Sequence, residues 1–101
     1  MKIVINRNYG TFEMSEEFYK HYNIPYSYKY GICIPLDTDI SRKDKRLIEY
    51  IEQYGSKKAS GGFSYLEVVD IPNGTKYRIL DYDGAEFIEY CDKINWEIAE
   101  D

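Results

Sequence analysis

Cysteine, histidine, tryptophan and proline are scarce in this chain: two, one, one and three residues among 101. Cys33 and Cys91 stand far apart and make no CxxC pair. With a single histidine they cannot assemble the four ligands of a structural zinc site. Nothing else in the chain suggests an oxidising compartment, so reduced thiols packed as small core residues, in a cytoplasm, are expected. A Ser-His-Asp or Cys-His site would have to use His21. That residue falls near the end of a short predicted helix, where the dipole favours an imidazolium without any catalytic role. No apolar run approaches the roughly 20 residues of a membrane span. The opening Met1-Lys2-Ile3-Val4-Ile5-Asn6 turns polar too early for a secretory leader. There is no GxxxxGK[ST] or GxGxxG, and Gly61-Gly62 follows a helix instead of preceding one, the wrong order for a phosphate cradle. The expectation is a protein that is not an enzyme and needs no cofactor or metal.

What the chain does have is aromatic and charged. Seventeen aromatics, twelve of them tyrosine, accompany 44% hydrophobic and 31% charged residues. That composition suits one folded domain over residues 1–101. Lys2–Asn6 is rich in β-branched residues and predicts a strand, followed by a turn at Asn6–Gly10. Ser15 is placed to cap a short helix over 16–22, with Glu16 and Glu17 in its first turn and Phe18 and Tyr22 on one face. Tyr26, Tyr28 and Tyr30 alternate in a stretch running to Pro35 that predicts an edge strand. Ser41-Arg42-Lys43-Asp44 fits a capping box ahead of a main helix over about 42–54. Its Leu47, Ile48, Ile51 and Tyr54 form one apolar stripe, and Gly55 ends it before a loop over 56–62. Phe63–Val69, Thr75–Tyr82 and Ala85–Cys91 predict a meander, with Asp83-Gly84 as the tight turn. Ile94, Trp96 and Ile98 suggest a last short strand. The predicted class is α+β, two helices packed on a small antiparallel sheet.

Charge is unevenly spread. Residues 1–80 carry 12 Lys/Arg against 10 Asp/Glu, whereas residues 81–101 carry eight acids against Lys93 alone. An acidic end disfavours DNA phosphates and anionic lipid and favours a partner protein with a basic surface. Asp81, Asp83, Glu86 and Glu89 flank the hairpin turn. They are either solubilising acids on a solvent-facing edge or a face that mimics nucleic-acid phosphates. The tyrosines Tyr26, Tyr28 and Tyr30 either build core or offer stacking area with a polar tip to a partner. A separate candidate set, Arg7, Tyr9, Arg42 and Lys45, has the chemistry to hold a base and phosphates, as in sequestering a cyclic-nucleotide signal.

The opening MKIVINRNYG, the helix RLIEYIEQYG, the segment YLEVVDIPNGTKYRILDYDGAEFIEY and the late Trp96 occur in this order. Together they resemble a family of small phage and prophage proteins, mostly uncharacterised, that open with MKIVIN and a Tyr-Gly. Matching positions are Leu47, Glu52, Tyr54 and Gly55, then Val69, Ile71, Pro72, Tyr77, Ile79, Tyr82, Asp83, Gly84 and Glu86. The chain departs at Thr11, where the family has a second glycine, and at Tyr77, where it tends to have Trp. Its segment between the two helices is also shorter. The resemblance implies viral origin and a setting in the cytoplasm of a bacterial host, without a mechanism. A phage protein of this kind is expected to bind rather than to catalyse. The leading expectation is a counter-defence inhibitor of a host nuclease such as a CRISPR effector. A nucleotide sponge or a phage structural or regulatory protein are the alternatives.

Overall fold

The computed structural model describes residues 1–36 and 39–90. It is an α+β fold with the element order β1 (Lys2–Asn6), α1 (Glu16–His21), β2 (Tyr26–Lys29), β3 (Ile32–Pro35), α2 (Lys45–Tyr54), α3 (Ser56–Ala59), β4 (Leu66–Asp70), β5 (Tyr77–Tyr82) and β6 (Ala85–Tyr90). The strands form three antiparallel pairs, β1–β4, β2–β3 and β5–β6. No described helix is long and apolar enough to cross a membrane.

The β1–β4 pair is the middle layer, and its pleat explains the rest. Val4 opposite Val68 and Asn6 opposite Leu66 share one face, while Ile3 opposite Val69 shares the other with Ile5. On the first face Val4 and Leu66 join Phe18, Tyr19, Leu47, Tyr50, Ile51 and Ala59 in the main core beneath the helices. On the second, Ile3, Ile5 and Ile71 pack against Tyr77, Ile79 and Ile88 of the β5–β6 hairpin. The chain is therefore stacked as helices, β1–β4, then β5–β6.

Local signals set the helix ends. The Ser15 hydroxyl accepts from the Phe18 amide at 3.3 Å, and Glu16 and Glu17 occupy the first turn of α1. Phe18 and Tyr22, one turn apart, meet with ring centroids 5.4 Å apart. His21 lies edge-on to Tyr22, Tyr50 and Tyr54 at 4.6 to 5.5 Å, part of an aromatic cluster between α1 and α2. Gly55, at φ 94°, ends α2 in a conformation that glycine adopts without strain.

Several expectations are corrected. The main helix begins at Lys45, not near 42, and Asp44 rather than Ser41 is its cap. Arg42 is held back by β1, since its carbonyl accepts from the Val4 amide at 2.9 Å and its side chain reaches Val4 O and Glu86. The 26–35 stretch is a hairpin rather than one edge strand, turning at Tyr30 and Gly31, both at positive φ. Residues 56–59 form the short helix α3, not loop. No meander forms, because β4 pairs with β1 instead of β5. The expected last strand through Ile94, Trp96 and Ile98 lies outside the described residues, as does Cys91.

Candidate functional site

The end of β1 and the turn of the β5–β6 hairpin meet in space. Asn6 is fully buried and acts as a node. Its Nδ2 donates to the carbonyls of Asn8, Thr11 and Gly84 at 3.0 to 3.3 Å, and its Oδ1 accepts from the Asn8 and Tyr65 amides. The Asn6 amide donates to Glu86 Oε1 at 2.7 Å. Arg42 closes the same carboxylate in a two-pronged pair, Nη1 to Oε1 at 2.6 Å and Nη2 to Oε2, and lies 4.8 Å over the Phe12 ring. Gly10 and Gly84 stack backbone on backbone. The Gly10 amide donates to Asp83 O at 3.0 Å, and a Cβ on Gly84 would overlap the Gly10 carbonyl. The buried side chains of Asn6 and Glu86 are both fully paired, so this network is a clasp joining β1 to the hairpin.

That clasp redistributes the sequence candidates. Glu86 is 4% exposed and points inward on the same face as Ile79 and Ile88, not onto a solvent edge. Glu89 pairs with Arg78 across the hairpin at 3.0 Å. Asp81 accepts from the Gly84 amide at 2.7 Å and, like Asp83, stays exposed. Of the four acids, two are thus matched by arginines. In the second set, Arg42 is committed to Glu86, Arg7 pairs with Glu67 at 2.7 Å, and Lys45 stands at the start of α2. Arg7 and Arg42 of that set are thus each engaged by a carboxylate of the chain itself. The tyrosines also separate. Tyr26 stacks on buried Tyr19 at 5.3 Å and donates to Glu16 Oε2 at 2.9 Å, which raises its phenol pKa, whereas Tyr28 and Tyr30 are exposed.

What the fold does bring together is a row of turns. The Tyr30-Gly31 turn lies against the Phe63 ring, the Phe63 backbone lies against Gly10, and Gly10 lies against Gly84. Exposed aromatic side chains stand on or beside these turns: Tyr30 is 96% exposed, Phe63 55%, Tyr9 66%, and Tyr82, the last residue of β5, 69%. Tyr30 does so at φ 55°, a left-handed backbone that costs a bulky side chain about 1–2 kcal/mol. The backbones of these turns adjoin, so the fold sets four exposed aromatics on or beside neighbouring turns. Tyr9 and Tyr30 were among the sequence candidates. Phe63 and Tyr82 were not; the available signals were Phe63 directly after Gly61-Gly62 and Tyr82 directly before the Asp83-Gly84 turn. Among the described residues no group of three or more His, Cys, Asp or Glu is arranged to hold a metal ion.

No protein-family model, curated protein or solved structure matches this chain.

Proposed function

We propose that this chain is a non-catalytic binding protein that docks on a partner protein through the turn edge of Tyr9, Tyr30, Phe63 and Tyr82. The observation that carries this reading is the exposure of four aromatics on or beside turns whose backbones are packed against one another. Tyrosine and phenylalanine supply large contact area at low entropic cost and dominate the centres of protein interfaces. The resemblance to small phage proteins adds the setting, a bacterial host cytoplasm. It also adds a partner class, a host defence protein such as a CRISPR nuclease that the chain would inhibit.

Aromatic docking is favoured over phosphate mimicry because Glu86 and Glu89 are matched by Arg42 and Arg78. Only Asp81 and Asp83 of the hairpin acids stand without an arginine partner. Capture of the partner from host lysate by the tagged protein provides the assay. Tyr30→Ala and Phe63→Ala are each expected to weaken the captured complex by roughly 2 kcal/mol, about 30-fold in Kd, at unchanged melting temperature. Charge reversal at Asp83 and Glu89 is expected to weaken it less. A complex insensitive to both aromatic changes and lost on Asp83→Lys would return the function to mimicry. Reversal of Glu86 is not diagnostic, since it breaks the clasp.

A further inference from the structure

The chain passes from β4 to β5 through Pro72-Asn73-Gly74-Thr75, a turn that neither the clasp nor the aromatic edge uses. The Thr75 amide donates to the Pro72 carbonyl at 3.1 Å, Gly74 stands at φ 83° and Asn73 does not take a positive φ. These are the marks of a type II turn, in which the peptide between the two central residues faces away from the turn's own hydrogen bond. The Gly74 amide makes no described hydrogen bond. Asn73 and Gly74 are both exposed, and a Cβ on Gly74 would meet nothing within 4 Å.

Asparagine is chemically labile, because the backbone nitrogen that follows it can attack its carboxamide carbon and close a small ring. A hydrogen bond on that nitrogen, or a bulky side chain beside it, opposes the attack. At the other described asparagines the following amide is engaged. The Arg7 amide after Asn6 donates to Tyr65 O at 2.8 Å, and the Ile24 amide after Asn23 donates to Tyr19 O at 2.9 Å. The Tyr9 amide after Asn8 donates to Asn8 Oδ1 at 3.0 Å. The related Asp83-Gly84 pair is closed as well, since the Gly84 amide donates to Asp81 Oδ1 at 2.7 Å. Among the described asparagines, Asn73 alone combines a following glycine, exposure to water and an open amide.

From these contrasts we infer that Asn73 is a modification site, deamidated without an enzyme in the folded chain. Hydroxide takes the Gly74 amide proton, and the nitrogen bonds to Asn73 Cγ. The bond from Cγ to Nδ2 then breaks, and Nδ2 leaves as ammonia with a proton from water. Asn73 Oδ1 accepts from the Met1 ammonium at 3.4 Å, whereas Nδ2, the departing nitrogen, makes no described bond. A water molecule opens the resulting succinimide. Cleavage between the ring nitrogen and Cγ gives aspartate, and cleavage at the main-chain carbonyl gives isoaspartate, in which the backbone runs through Cγ. Either product adds a carboxylate. Isoaspartate also adds an atom to the backbone that links β4 of the middle layer to β5 of the hairpin layer. The site stands independently of the aromatic edge.

The test is incubation of the full chain at pH 8 and 37 °C, beside a sample unfolded in guanidinium, followed by mass spectrometry of tryptic peptides. Peptide 59–76 holds Asn73 and no other asparagine, while Asn8 falls in 8–20 and Asn23 in 21–29. In the folded chain, conversion of 59–76 is expected to run at least about tenfold faster than that of 8–20 or 21–29, whose following amides react only after a local opening. Converted 59–76 should accept a methyl group from S-adenosylmethionine in the presence of an isoaspartyl methyltransferase. Asn73→Gln, whose longer side chain closes the ring far more slowly, should lose the more acidic species that the aged parent shows on ion exchange. Three results would each overturn the assignment. They are a 59–76 peptide that stays intact in the folded chain while converting in guanidinium, equal rates at Asn73, Asn8 and Asn23, and an acidic species that persists in Asn73→Gln.

Discussion

Tyr30 shows how single residues here trade stability for exposure. It sits at φ 55° because the two-residue turn of the β2–β3 hairpin requires a left-handed backbone there, a position glycine or asparagine fills at lower cost, while its side chain is almost wholly in solvent. Glycine would relieve about 1–2 kcal/mol of left-handed strain and return roughly half of that as extra freedom of the unfolded chain. Tyr30→Gly is therefore expected to raise unfolding stability by about 0.5–1 kcal/mol in urea titration while weakening the captured complex as Tyr30→Ala does. A destabilised variant would mean that the ring is bonded into the fold, and the docking role would lose its strongest support. The contrast with Gly84 is instructive. There the left-handed backbone also meets the Gly10 carbonyl, so that no side chain fits and the clasp depends on glycine.

At the scale of elements, α2 resolves an oddity of its sequence. No acid follows the cap within its first turn, and Lys45 and Arg46 stand there instead, against the dipole. The structure answers with Asp44, whose Oδ1 accepts from the Arg46 amide at 2.9 Å while Arg46 folds back onto Oδ1 and Oδ2 at 3.2 and 2.9 Å. The side-chain bonds from Arg46 hold the Asp44 carboxyl below its ordinary value of 3.8, with burial opposing. A depressed acid contributes stability above its unfolded pKa and loses it as pH falls through the folded one. Asp44→Ala should thus cost about 1 kcal/mol at neutral pH, and the gap from the parent should close as pH drops below about 4. Urea midpoints measured from pH 7 to pH 2 check this, and a gap independent of pH would remove the cap from the account. Elements carried by local chemistry were legible in the sequence: β1 by its β-branched run, the β5–β6 hairpin by Asp83-Gly84, α1 by Ser15, the end of α2 by Gly55. What was not legible depends on distant partners. The start of α2 is set by Arg42 reaching Glu86, and β4 chooses β1 because both its faces are covered there. Glu86 itself was readable. A two-residue turn at 83–84 places it opposite Asp81 and on the face of Ile88, which turns inward.

The whole molecule is unequal in its two interfaces. Among the described residues, eleven buried side chains fill the core between the helices and β1–β4, whereas three, Ile3, Ile5 and Ile71, lie in the core beneath the β5–β6 hairpin. The hairpin layer is thus held by a small apolar patch and by Glu86 in the clasp. Amide exchange tracks such differences, because a layer with few buried contacts opens without unfolding the rest. The amides of β5 and β6 are expected to exchange through an opening of lower free energy than those of β1 and α2. Glu86→Ala removes the acceptor shared by Arg42 and the Asn6 amide. It should lower protection of the hairpin by about 2–3 kcal/mol, less than the roughly 3–5 kcal/mol of a wholly buried pair because the Arg42 side chain is about a third exposed. Protection in α2 should fall much less, since its core lies on the opposite face of β1. Equal protection in all three layers, or an equal loss across them in the variant, would make the domain one cooperative unit. A hairpin that opens first has a functional corollary: a partner gripping Tyr82 together with Tyr9, Tyr30 and Phe63 would tie the loosest layer to the rest. Hairpin protection should then rise on complex formation more than that of any other strand.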